Sequence, residues 1–422
     1  MNISDFQSEF NKIKSRSHFS KAIHPEREKA FSQLLEIGLP TTKWEDWRYT
    51  DLSIIANNSF RLSDTQDMPS KKIDISDYQI NGTDPIVIFN GHYQEDLSVI
   101  PDGVTLLPNL DYIEKNNWKF KNPTLSPFDL LNTTFMDSGV SLIIDSNVNI
   151  QKPIQLILIS SGVDSLMVSP RLHIDVGQSS SATFIEEHVG TSNSFFQNTS
   201  LFISTGINAQ LDHIRIQSNS DKMVNMANQY LYQNQDSHYT FFQFATGSKL
   251  GRLNLHAQLE GEGADCSLNG LTLSNKNQHI DNHIIIDHKV ANCTSSQNFK
   301  TVLQDNSSGL FNGRTIVREG AQKTDSSQSN NNLLLSTNAL MNSNPQLEIY
   351  ADDVKCSHGS TTGALDTESL FYLQSRGLNS FTAKSLLIRG FVTELLEAIK
   401  NENIRKYITG KFSNWISKNT IS

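Results

Sequence analysis

Residues Gly247–Leu273, GSKLGRLNLHAQLEGEGADCSLNGLTL, state one theme twice: a small or polar turn, then a short run of alternating apolar and polar residues. That alternation is the period of a strand with one buried face. The theme recurs as GQSSSATFIEEHV (Gly177–Val189), GINAQLDHIRI (Gly206–Ile216) and DNSSGLFNGRTIV (Asp305–Val317). Short β-rich runs continue from about Pro85 to Tyr350, separated by Gly, Asn, Ser and Asp, and helical periodicity is missing throughout. The spacing of the theme drifts between roughly 15 and 40 residues, untidy for a propeller but tolerable for a solenoid with variable loops. Few turns are the two-residue Asn-Gly or Asp-Gly kind that mark tight hairpins, which favours stacked coils over a β-sandwich or jelly roll. Periodicity alone leaves that competitor standing.

Helical signals flank this body. Phe6, Phe10 and Ile13 share one helix face; Pro25 suits a helix start, and Phe31, Leu34 and Leu35 follow before Gly38-Leu39-Pro40 stops the run. In KWEDWRYTDL (Lys43–Leu52), Trp44 and Trp47 are three apart and read as an aromatic anchor onto the next domain. After Gly363, Asp366 or Thr367 can cap a helix that Gly377 ends, and Ser380 opens another. In that second helix Ala383, Leu386, Leu387, Phe391, Leu395 and Ile399 follow the 3.6-residue period, widened by Ile388, Val392, Leu396 and Ala398. So wide an apolar face needs two neighbours: its own domain on both sides, or its own domain and a partner. The expected organisation is a helical region over 1–84, a mainly β core over 85–358 and a helical domain over 359–422.

The 422 residues carry a formal charge of −9, and no Lys/Arg-rich stripe offers a surface for nucleic acid or anionic lipid. Three scattered cysteines, Cys266, Cys293 and Cys356, make no disulfide framework and suit a reducing compartment. The first residues lack a charged-then-apolar secretion pattern, and no run of about 18 apolar residues occurs. A soluble cytoplasmic protein is therefore expected.

Three stretches bear on chemistry. REGAQKTDSS (Arg318–Ser327) ends like a phosphate loop, but Gln322 stands where the glycine before Lys is required, so no ATP hydrolysis is expected of this chain alone. HIDNHIIIDH (His279–His288) sets His279, Asp281 and His283 on one face of a strand, as a zinc or iron site or as a solvent-side polar ladder. YADDVKCSHGSTTGAL (Tyr350–Leu365) sets Cys356 and His358 on one face, about 6.5–7 Å apart. Such a pair suits an iron–sulfur cluster or a thiophilic metal, and Lys355 and His358 would favour the thiolate. Two ligands close no tetrahedral site, so any others come from elsewhere, including a second polypeptide; an incidental surface thiol is the plainer reading.

Leu347–Leu378, LEIYADDVKCSHGSTTGALDTESLFYLQSRGL, followed by Ala383–Ile399, AKSLLIRGFVTELLEAI, closely resembles the C-terminal signature of the SufB/SufD family of iron–sulfur cluster assembly proteins. FNGRTIVREGAQKTDSSQSNNNLLLS (Phe311–Ser336) and the His279–His288 segment look like the family's β-helix, and Lys43–Leu52 is similar to an element of its SufD branch. The resemblance implies a parallel β-helix between helical ends and a scaffold subunit that is no enzyme in its own right. It implies pairing with SufB across the end of the β-helix, and binding of the ATPase SufC by C-terminal helices, here through Leu386, Leu387, Phe391 and Leu395. It also implies that His358, with Cys356 beside it, holds iron or a transient cluster shared with SufB. A homodimer in isolation is a further expectation, and participation of a flavin is left open. The rival from another class is a β-helix polysaccharide lyase or hydrolase.

Overall fold

The computed structural model describes residues 3–15, 23–69, 73–115, 126–136, 138–191 and 194–419. About 43% of the chain is strand, wound into a parallel β-solenoid of about eight turns with helices at both ends. The strands form an 11-stranded and a 10-stranded sheet; from Arg171–Val176 onward consecutive strands alternate between them, and each up to Asp325–Leu334 pairs in parallel with the strand two places on. Among the described residues antiparallel pairing is confined to the start, where Val104–Pro108 meets Val140–Ile144 and Asp84–Phe89 meets His92–Gln94. The sandwich alternative is thereby set aside.

The true repeat is tighter than the drifting theme suggested. In the 10-stranded sheet Gln210 pairs with His238, His238 with Asp265, Asp265 with Thr294, Thr294 with Asp325 and Asp325 with Lys355, steps of 27–31 residues. One coil contains two strands, so counting from one strand theme to the next mixed half coils with longer steps. Six successive entries into this sheet, from Ser181–Gly190 to Asp325–Leu334, use the same device: a left-handed residue, then a small buried one. Ser179, Asn208, Asp236, Gly263, Asn292 and Lys323 have φ between 53° and 75°, and they precede Ser180, Ala209, Ser237, Ala264, Cys293 and Thr324, all buried. The small side chain lets successive turns stack closely. Cys293 is thus a turn residue.

Inward-facing residues of the two sheets build the interior, a core that includes Ile86, Leu156, Phe184, Leu201, Phe241, Leu255 and Ile284. Both outer faces are partly covered. Helices Ile3–Ser15, His24–Ile37 and Pro127–Phe135 lay Phe6, Phe10, Phe31 and Phe128 against Met167, Phe196, Val224 and Leu250 of the 11-stranded sheet. Helices Ser380–Glu397 and Glu402–Asn419 lay Ile388, Val392, Leu395, Ile408 and Phe412 against Ile214, Phe242, Phe244 and Leu271 of the other. The caps follow the sequence: Asp366 accepts from the Ser369 N–H, and Gly38 and Gly377 close helices at φ +71° and +95°. Asn379, whose side chain accepts from the Thr382 N–H, caps the helix that Ser380 begins.

Two helices, Asn109–Lys115 and Pro127–Phe135, fall where only strands were expected. The second is short and wholly buried, and its polar residues Asp129, Asn132 and Thr133 meet Tyr230 and Arg171 instead of water. Among the described residues no helix is long and apolar enough to cross a membrane.

Candidate functional site

The last two strands, Leu340–Ile349 and Lys355–Gly363, end the two sheets. Among the described residues each is hydrogen-bonded along one edge only; the first is mostly half-buried and the second largely exposed. Pro345 sits on the first of these edges, where a missing N–H is tolerated. Two inward columns run through the solenoid and finish here. Ala182, Leu211, Tyr239, Cys266, Ser295, Ser326 and Cys356 stand in register, as do Phe184, His213, Phe241, Leu268, Gln297, Gln328 and His358. Every earlier member of the two columns is buried by the coil that follows it. Cys356 and His358 have no following coil, and therefore present a thiol and an imidazole side by side at an open end.

The protonation of Cys356 differs from the sequence expectation. Cys356 is half-buried beside Val317, Ala321, Ala351 and Val354, and burial, with the Asp325 carboxylate beside it, pushes its thiol above the ordinary value. The thiolate predicted from Lys355 and His358 is not favoured in the isolated chain. Cys266 is pushed further up by burial, so neither it nor the turn residue Cys293 is poised to react.

His279, Asp281 and His283 do share one outward face, and they meet the N-terminal region there. Asp281 accepts from Arg252 Nη1 at 2.7 Å and from Thr50 Oγ1 at 2.5 Å, with His283 Nε2 at 3.1 Å. His279 bonds Thr50 through Nε2 at 3.0 Å and Ser308 through Nδ1 at 2.7 Å. Burial alone would raise the Asp281 carboxyl, but Arg252 and the two imidazoles outweigh it and hold it well below the usual range. Arg252 also donates to the Asp46 carbonyl at 2.8 Å and lies under the Trp47 ring. The cluster clasps the Lys43–Leu52 segment to the solenoid. Of the two tryptophans, Trp47 is the anchor, 4% exposed, while Trp44 is 38% exposed. Among the described residues no group of three or more His, Cys, Asp or Glu is arranged to hold a metal ion.

The C-terminal apolar stripe divides. Leu395 is 1% exposed inside its own domain, Phe391 packs against that core beneath Lys300, and Leu387 is half-buried. Leu386 is 50% exposed, and Phe371 and Tyr372 on the preceding helix are 72% and 57% exposed. Most of the wide face is therefore consumed by the sheet and the last helix, and the exposed remainder continues onto Thr367–Ser375, a helix with no buried residue. Sequence reasoning missed Phe371 and Tyr372 because their helix is short and its apolar residues form no stripe. It also missed the solenoid's internal charges. Burial would raise the Glu186 carboxyl, but His188, His213 and Arg215 hold it well below the usual range. The neighbouring Glu-Glu-His triplet was the available signal.

Comparison with known proteins bears on this arrangement. Residues 158–391 match the family model described as the SUF system FeS cluster assembly, SufBD core domain, and residues 3–156 match the SufBD protein N-terminal region. The chain is 31% identical over 394 residues to the iron–sulfur cluster assembly protein SufD of Escherichia coli, covering 92% of each. It is 30% identical over 393 residues to an iron–sulfur cluster assembly SufBD family protein of Synechocystis sp., covering 88% of this chain and 86% of that one. The chloroplastic protein ABCI7 of Arabidopsis thaliana is 30% identical over 398 residues, with 90% and 83% covered.

Proposed function

The chain belongs to the SufBD family of iron–sulfur cluster assembly proteins, and from that membership we propose that it is the non-ATPase scaffold subunit which pairs with SufB, binds SufC and lends His358 and Cys356 to a nascent cluster. The observation that carries this reading is the meeting of the two inward columns with an uncovered end, which leaves an imidazole and a thiol adjacent and a coordination sphere half filled. The remaining ligands would come from SufB. The free edges of Leu340–Ile349 and Lys355–Gly363 offer backbone N–H and C=O groups on which a second protein can extend both sheets. Iron and sulfide are cargo here. A mixed imidazole and thiolate set suits transfer, because histidine in place of cysteine raises a cluster's potential and weakens the hold of an all-thiolate cage. The thiol of Cys356 must lose its proton on binding, so loading releases a proton and depends on pH.

The exposed apolar surface of Phe371, Tyr372 and Leu386 supports docking of an ATPase. Force applied there has a short route inward: Lys300, on the outer face of the 10-stranded sheet, donates to the Phe391 carbonyl at 3.0 Å and pairs with Glu394 at 2.9 Å. ATP-driven closure of SufC would shear the junction with SufB and open Cys356 and His358 to iron and sulfide. The same free edges suit a homodimer when SufB is absent. The polysaccharide lyase reading keeps only the architecture, which many unrelated functions share.

Co-expression with SufB and SufC, followed by mass, iron and sulfide analysis, tests the proposal. A complex in which His358→Ala preserves all subunits but assembles no cluster supports it. Full cluster assembly by that variant, or failure of the wild-type chain to retain either partner, rules it out.

A further inference from the structure

Two unpartnered polar groups stand one strand apart at the open end. Gln328 is buried and pairs in register with His358 in the same inward column. Its Nε2 donates to Gln297 Oε1 at 3.3 Å, and Gln297 Nε2 donates to Thr315 Oγ1 at 3.3 Å. The amide fills space that Gly313 leaves open: a Cβ there would lie 1.7 Å from Gln328 Nε2. Its donor end thus faces the buried coils, and Oε1 is left buried with no hydrogen bond. A buried carbonyl acceptor without a donor is costly, and native interiors rarely keep one idle. His358 is exposed and likewise lacks a partner among the described residues.

We propose that Gln328 is a positioning residue for His358: its Oε1 accepts one imidazole N–H, fixes a single tautomer, and turns the other ring nitrogen outward to iron. Neighbouring members of a parallel column lie about 4.8 Å apart, so rotation about the histidine side-chain torsions brings the ring within reach. The bond extends a ladder that already runs in one sense, His358 to Gln328 to Gln297 to Thr315, and each donor strengthens the acceptor before it. Imidazoles that ligate metals commonly donate their second N–H to a carbonyl, and that bond decides which nitrogen faces the metal. The inference rests on the ligand role proposed for His358, but its central claim, the bond itself, is measurable without iron.

The test uses the full chain labelled with 15N-histidine, with the His358 resonances assigned by their loss in His358→Ala. The expected wild-type spectrum shows one neutral tautomer, and Gln328→Met, similar in size without the acceptor, shows a mixture. Ferrous iron is then titrated anaerobically into the complex with SufB and SufC. Gln328→Met should weaken binding about 10- to 100-fold, Gln328→Glu, which keeps an acceptor, should recover most of it, and neither should matter once His358 is alanine. A wild-type tautomer mixture equal to that of Gln328→Met overturns the inference, as does weakened binding that persists in the His358→Ala background. If the tautomer is fixed but His358→Ala binds iron as well as wild type, the positioning stands and the ligand role falls.

Discussion

The guanidinium carbon of Arg252 lies 3.6 Å from the centre of the Trp47 ring, while its Nη1 is bonded to Asp281. One cation thus serves an aromatic face and a carboxylate, both buried. Arg252→Ala strips Trp47 of its cation and leaves Asp281 charged and buried without its main partner. Losing one member of such a pair costs about 3–5 kcal/mol. Urea unfolding should show that loss, and Arg252→Lys should recover little, because an ammonium cannot lie flat on the ring and reach the Asp46 carbonyl together. A cost below about 1 kcal/mol for Arg252→Ala would mean that the clasp is ornamental.

How much of this was legible in advance depends on range. Caps and turns are local, so Pro25, Gly38, Asp366 and Gly377 declared their helix ends directly. The parallel coil was legible as a class, but its period was hidden, because the small buried residue before each strand changes identity from Ser180 through Cys293 to Thr324. What binds His279, Asp281 and His283 was not legible at all: Thr50 and Arg252 are distant in sequence, and one polar strand face serves a metal or a docking segment equally well. Cys356 and His358 were visible as a pair; their place at the end of two columns required the register.

Acid should unfold the protein partly through His288. Burial lowers its imidazole to about 4, and its Nε2 bonds Ser295 Oγ at 2.8 Å. The unfolded chain binds a proton near 6.5, so the stability that this neutral ring contributes is complete above that pH and is lost as pH falls towards 4. At about 1.4 kcal/mol per unit the loss is roughly 3 kcal/mol. Asp129 works the other way: burial raises its carboxyl to about 6, so its contribution is complete below the ordinary carboxylate value and is lost as pH rises through 6. Urea midpoints between pH 4 and 7 should therefore flatten in His288→Gln and steepen in Asp129→Asn. Parallel curves for all three proteins would contradict both assignments.

Cys356 should be the slow but accessible thiol. Cys266 and Cys293 are fully buried, so iodoacetamide under native conditions should modify Cys356 alone, with a rate that climbs at higher pH than for a free thiol. Asp325→Asn removes the nearby carboxylate and should shift that profile towards neutrality. An unshifted profile would assign the raised value to burial alone.

The C-terminal surface predicts a split between two leucines on one helix. Leu386 is half-exposed and Leu395 is sealed within its own domain. Leu386→Asp and Phe371→Asp place charge on surfaces that already meet water, so the thermal midpoint should stay near wild type while retention of SufC falls. Leu395→Asp buries a carboxylate among Ile388, Val392 and Ile408, and the several kcal/mol this costs should detach or unfold the helical domain. Phe391→Asp belongs between them, because its ring packs on the core and carries Lys300 at 5.4 Å. Pull-down with SufC beside circular dichroism separates the two effects. If Leu386→Asp and Phe371→Asp both retain SufC at wild-type levels, the ATPase docks elsewhere, and Lys300 loses its place on the route by which closure would reach the open end.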